Sequence, residues 1–405
     1  MGIDGYVSGK DGTELCRRKF LKIGCGVGAG IILGTPPIWS GEKKERQRIK
    51  TNIEDVLSIP RMRYSIPGPF PGKVVEVHDS GVLKGRRPDP DIVNRMIEKG
   101  ITNLTGKDLN RSFKMFFSKS DVIGIKVNPV GGGLISTHTE VVSGIIDWLL
   151  RNGVKRSSIV IWDRFDYMLK DAGFTPERYP GIKIEGLQTM DENAAAAARN
   201  NRDVDNSRWL DKNGHHVSES NFDKNVYYWA DVEGPKDLPY LNQHVFNGKY
   251  SYFGKLLTQK LTKIINVAVF KNTGNGISMA TKNIGYGSIC NTNRLHRPLF
   301  FDVCTEVMAF PVIRDKLMIN IVDGLIGQYE GGPAANVKFQ YNFNRLFFAT
   351  DPIALDRLCH DLIVKKRKEM KIRVNEHPIY TEYLRYGERL GLGIGHLERI
   401  NRIIV

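Results

Sequence analysis

Residues 264–287, IINVAVFKNTGNGISMATKNIGYG, hold the pattern from which the rest of the 405-residue chain can be read. The run 264–270 is apolar and mostly β-branched, which suits a strand buried on both faces. It stops at Lys271-Asn272-Thr273 and passes through a turn with Gly274 and Gly276. A short helix-compatible run follows, and then a second pair, Lys282-Asn283. A buried strand that delivers a lysine into a glycine-rich turn brings backbone and cation together around something negative. The alternative is a strand, a turn and two solvated lysines, and the neighbouring segments decide between them.

On the N-terminal side, VIGIKVN at 122–128 reads as a strand whose end presents Lys126 and Asn128, followed by Pro129 and three glycines. The stretch 137–150 is an amphipathic helix with Val141, Ile145, Trp148 and Leu149 on one face. The strand 158–162 then ends at Asp163, completing a β–α–β step that demands parallel strands. Earlier, 74–77 forms a strand ending at His78-Asp79. On the C-terminal side, 317–322 runs into Asp323-Gly324 and 346–349 into Thr350-Asp351-Pro352. There Asp351 is placed to cap a helix whose first turn holds Pro352. The expected fold is α/β: a mostly parallel sheet flanked by helices, built from βαβ units, over residues 73–405. A polar insertion at about 186–255 and a basic C-terminal extension interrupt it.

The first 40 residues read differently. CRRKFLKIGCGVGAGIILG at 16–34 resembles a twin-arginine export signal, with Arg17, Arg18, Phe20, Leu21 and Lys22 in the pattern and Cys16 where Ser or Thr is usual. The apolar run is short, rich in glycine and stopped by Pro36-Pro37, which makes a poor membrane span. Export by that route places the protein in the periplasm or another extracytoplasmic space, anchored to the membrane if the signal is not cleaved. Residues 41–72 are polar and proline-rich, a linker or a wrapping arm. The net charge of +15 and pI of about 9.5 favour anionic partners. No zinc spacing or aromatic–basic RNA signature accompanies that charge, so nucleic acid is not expected. Five scattered cysteines make no disulfide framework and no cluster motif, and Cys290, Cys304 and Cys359 read as buried apolar fillers. His215-His216 reads as an exposed turn rather than a metal handle.

Six strands thus end in polar side chains, and ligands of parallel α/β sheets bind outside the carboxyl ends of the strands. A lysine at the end of an apolar strand is costly to desolvate unless a carboxylate or an anionic ligand is near. Dinucleotide, P-loop and nucleophile-elbow motifs are missing. The expected catalytic residues are therefore Lys271, Asp163 and Asp323. The expected ligand-binding residues are Lys126, Asn128, Asn272, Thr273, Lys282, Asn283 and Asp351, and no metal ligands are expected.

The blocks VIGIKVN…HTEVVSGIIDWLLRNGVKRSSIVIWD, VAVFKNTGNGISMATKNIGYG, MINIVDGLIGQYEGGP and FFATDPIALD resemble, in order and spacing, the family catalogued as domain of unknown function 362, over roughly residues 120–365. The resemblance implies an α/β domain. Family members often carry ferredoxin-like iron–sulfur modules, and others carry twin-arginine leaders. This chain has no four-cysteine module, and it has Lys271-Asn272-Thr273 where the family commonly has Lys-x-His. Neither the residues nor the resemblance names a cofactor. The leading expectation is an exported enzyme acting on an anionic small molecule. The alternatives are a non-catalytic extracytoplasmic binding or accessory protein of a redox or maturation system, with a redox partner, and a metal- or cofactor-dependent redox protein loaded before export.

Overall fold

The apolar runs pair into one nine-stranded, mostly parallel sheet in the computed structural model, which describes residues 48–188, 221–232, 250–274, 276–299, 301–375, 377 and 379–405. Eight strands form its continuous path. They are β1 Lys73–His78, β2 Ile123–Lys126, β3 Ile159–Phe165, β4 Lys183–Gln188, β5 Lys263–Thr273, β6 Leu317–Gln328, β7 Gln340–Ala349 and β8 Asn401–Ile404. Their order across the sheet is β8-β1-β7-β6-β5-β2-β3-β4, and the short strand Gly276–Ile277 folds back onto the end of β5. The twin arginines and His215-His216 lie outside the described residues. Among the described residues no helix is long and apolar enough to cross a membrane.

Both faces of the sheet are covered. On one, Ile123, Ile125, Ile161, Ile265, Val267 and Ile321 pack against helix α1 (Pro90–Thr105) and helix α2 (Thr139–Arg151). On the other, Trp162, Ile264, Ala268, Phe270 and Val322 meet helices α3 (Ala280–Gly287), α4 (Asp302–Ala309) and α5 (Pro352–Glu369). This double cover is why β5 and β6 are buried along nearly their whole length rather than alternating in and out. Helix α3 has no cap of its own. Asp356 of α5 reaches over and accepts from the Ala280 N–H at 2.8 Å, the Thr281 N–H at 2.9 Å and the Thr281 hydroxyl at 2.5 Å. A helix fixed at its first turn by another helix can hold its side chains in one register over the sheet.

Strand direction divides the polar strand ends. β1 through β6 point the same way, whereas β7 is antiparallel to both β6 and β1. Asp351 follows β7, so it lies at the opposite end of the sheet from Lys126 and Lys271, and the single rim expected from the sequence is corrected at that position. It accepts instead from Ala354 N at 2.8 Å, Gly72 N at 2.9 Å and Ile394 N at 3.0 Å, tying α5 to the entry of β1 and to the C-terminal segment. The other adjustment is in β6, which does not end at Asp323 but continues to Gln328 through an irregularity in its pairing. In the 186–255 region the described strands Phe222–Trp229 and Tyr250–Gly254 pair as an antiparallel ribbon, and Tyr228 donates to the buried Glu306 of α4 at 2.7 Å.

Replacing Asp351 by Ala should therefore lower stability by about 1–2 kcal/mol, read as a lower urea midpoint. An unchanged midpoint would contradict this placement.

Candidate functional site

The sheet delivers two lysines to the same rim in different electrostatic states. Lys126 closes β2. Its ammonium donates to Asp163 on β3, to the Val127 carbonyl at 2.8 Å and to Asn283 Oδ1 at 3.1 Å, so each of its three N–H groups has an acceptor. The Trp162 ring lies within cation–π distance, 5.4 Å from its centre to Nζ. Burial lowers the Lys126 pKa, and the adjacent Asp163 charge counters part of that fall. The fit leaves no slack: a Cβ on Gly287 of α3 would come within 2.8 Å of the Lys126 nitrogen.

Behind this pair runs a chain of buried amides. Asn283 donates to Asn266 Oδ1 at 2.8 Å, and Asn266 donates to Asn320 Oδ1 at 2.9 Å and to the Ala280 carbonyl at 3.0 Å. Asn320 in turn reaches the Thr350 carbonyl at 3.4 Å. Asn266 and Asn320 are register partners on the parallel strands β5 and β6, which is what puts their amides in contact. Such a network is costly in a core unless its members are paired with one another, and paired it fixes Lys126 and α3 in one arrangement.

Lys271 has no such counter-charge. Its side chain is fully buried, and its nitrogen donates to Asn128 Oδ1 at 3.0 Å and to the Val130 carbonyl at 3.1 Å. Among the described residues no carboxylate lies within ion-pairing distance of it. Burial is the main cause that brings its pKa down to about 7, and the charges of Lys282 and Lys126 lower it further, against a smaller upward pull from Asp163. Lys282 itself is half-buried. Two glycine-bearing loops meet beside the amine. Gly131, at φ 104°, lies where an added Cβ would be 3.5 Å from Ala335, and Gly332 N donates to Asn272 Oδ1 at 2.9 Å.

Lys126, Asn128, Asp163, Lys271 and Asn283 are thus joined by direct bonds or short relays, with Lys282 close enough to act on Lys271. Asn272 closes the turn through the Gly274 carbonyl at 2.8 Å and anchors the opposite loop, while Thr273 pairs through its backbone with Gly276. Asp323 belongs to a different pair. It accepts from both the backbone N–H and the ring Nδ1 of His138, each at 2.8 Å. Burial opposes protonation of His138, but the charge and hydrogen bond of Asp323 outweigh it and the pKa is raised. A short link joins the two clusters: Thr137, next to His138, accepts from Asn128 N at 2.9 Å and donates to the Val267 carbonyl at 2.8 Å.

Sequence reasoning missed His138, Thr137, Asn266, Asn320 and Arg164. Arg164 is half-buried, donates to Gln188 at 2.6 Å and to Thr292, and burial lowers its pKa to about 10. The available signal was one asparagine inside each of two otherwise apolar strands, Asn266 and Asn320. Among the described residues no group of three or more His, Cys, Asp or Glu side chains could hold a metal ion.

The two lysines should respond to mutation in opposite ways. Lys126→Ala strands the Asp163 carboxylate and should cost about 3–5 kcal/mol. Lys271→Met removes an amine that burial disfavours in its charged form, so stability at pH 7 should hold or rise. Because its folded pKa lies below the unfolded value, the unfolded chain binds the extra proton between about pH 7 and 10. The contribution of Lys271 to wild-type stability should therefore rise with pH across that window. The difference in stability between Lys271→Met and wild type, followed by denaturant melts, should shrink accordingly.

No curated protein and no solved structure matches the chain. The family model described as Domain of unknown function (DUF362) matches residues 123–361, which hold Lys126, His138, Asp163, Lys271, Lys282 and the asparagine chain. With more than half of its length inside that match, the chain belongs to the domain of unknown function 362 family.

Proposed function

We propose that the chain is an enzyme that acts on an anionic small molecule at the rim formed by β2, β3 and β5, and that it is exported by the twin-arginine machinery to the periplasm or another extracytoplasmic space. The observation that carries the ligand class is Lys271, a fully buried amine with two neutral acceptors, a neighbouring lysine and, among the described residues, no carboxylate within ion-pairing distance. An anion entering beside Lys271 and Lys282 supplies the missing counter-charge and restores the ammonium form. Asn128 and Asn283 orient the bound group. The Lys126–Asp163 pair sets the local field, and Asp163 holds Lys126 in place. His138, oriented by Asp323, is the acid/base candidate, because a carboxylate on Nδ1 leaves Nε2 to exchange a proton. The export reading rests on Arg17, Arg18 and the apolar run that follows them.

Titration calorimetry with oxalate and phosphate, in buffers of different ionisation enthalpy, tests the binding half of this reading. Since the anion needs the charged amine, affinity should fall about tenfold per pH unit above pH 7, with proton uptake on binding. Lys271→Met should abolish binding while the protein remains folded. Binding that is independent of pH, or unchanged in Lys271→Met, would overturn the assignment.

A further inference from the structure

The proton inventory around Lys271 points beyond holding an anion. An ammonium has three N–H donors, whereas a neutral amine has two and a lone pair. Among the described residues Lys271 has two acceptors, Asn128 Oδ1 and the Val130 carbonyl, and both are neutral. Lys126, on the neighbouring strand, has three acceptors including a carboxylate. The two sites thus differ in the way that separates a free amine from an ammonium. A desolvated lysine beside another cationic group is the general arrangement for an amine nucleophile at neutral pH.

We propose that Lys271 is a covalent catalyst, forming an imine with an anionic carbonyl compound of the 2-oxo acid class. This rests on the reading of the rim as an anion site, since Lys282 would hold the carboxylate while Lys271 meets the adjacent carbonyl. The Nζ lone pair adds to the carbonyl carbon, giving a carbinolamine. That intermediate loses its oxygen, together with the two amine hydrogens, as one water, and leaves a C=N bond to Lys271. No oxidant or reductant is consumed. Asn128 and Val130 release their hydrogen bonds as the two N–H groups are used. The amine lies beneath the loops carrying Gly131 and Gly332, which pack closely: an added Cβ would come within 2.5 Å of Ile135 at the first and 2.1 Å of the Asn272 carbonyl at the second, so these loops must part for a substrate to reach Lys271.

Full-length protein incubated with glyoxylate, the smallest anionic aldehyde of this class, and with cyanoborohydride should be trapped as a single secondary amine. Peptide mass mapping should place that adduct on Lys271 in preference to the many exposed lysines. Trapping should disappear in Lys271→Arg, whose guanidinium still attracts an anion but forms no stable imine. Competition by oxalate, which has no reactive carbonyl, should protect Lys271. Adducts spread over surface lysines with Lys271 unmodified would overturn the imine. If oxalate still binds with the expected pH dependence in that case, the anion site stands and only the covalent step falls. If oxalate does not bind either, both fall.

Discussion

Desolvation of two lysines at the same end of neighbouring central strands, only one of which is paired with a carboxylate, is the constraint around which this molecule is arranged. Asp163 pairs with Lys126, and the pair is completed by Asn283 and the Val127 carbonyl. Among the described residues Lys271 has nothing equivalent and makes do with an amide and a peptide carbonyl. Two buried amines a few residues from strand ends would ordinarily weaken a fold. Here the first is neutralised in place, and the second is fully buried where its charged form is disfavoured. The asymmetry is a property of neighbours rather than of the lysines themselves.

The supporting structure serves that asymmetry. The Asn266–Asn320 register pair carries hydrogen bonding across the centre of the sheet to Asn283, and Asp356 pins the first turn of the helix that presents Asn283 and Gly287. Moving that helix would push Gly287 into Lys126 or pull Asn283 away from it. On the other face, Thr137 links the Asn128 backbone to β5 and leads into His138, so the Asp323–His138 pair is held at a fixed distance from the amine. In the proposed function, binding, positioning and proton transfer would be divided among these strand ends.

Much of the fold was legible because buried parallel strands are continuous apolar runs. The strands at 122–128, 158–162 and 264–270 appear close to where they were expected. Strand direction was harder to read. Asp351 looked like one more member of the rim because its flanking pattern matches the others. Yet β6 ends at Gln328 and β7 starts at Gln340, a connection shorter than a crossover requires, so an antiparallel return follows from chain length. Asp323 resembles a strand terminus because Asp-Gly usually marks a turn, whereas the strand runs on through it with a shift in its pairing register between Gly324 and Ile326. Lysines 126 and 271 were visible as polar ends of apolar runs, but which of them kept the carboxylate depends on three-dimensional pairing. The asparagine chain was illegible for the same reason, since its contacts are set by register between β5 and β6.

The ionisation of Lys271 in the unliganded protein is the quantity on which the account turns, and it can be observed directly. Protein carrying carbon-13 at the lysine ε-carbon, followed by NMR from pH 5 to 11 and assigned by substitution, reports each amine separately. The account predicts one lysine, Lys271, with a midpoint near pH 7. A Lys271 resonance that titrates near the ordinary lysine value of about 10.4 would mean that its amine is charged and compensated, contradicting the account at its centre.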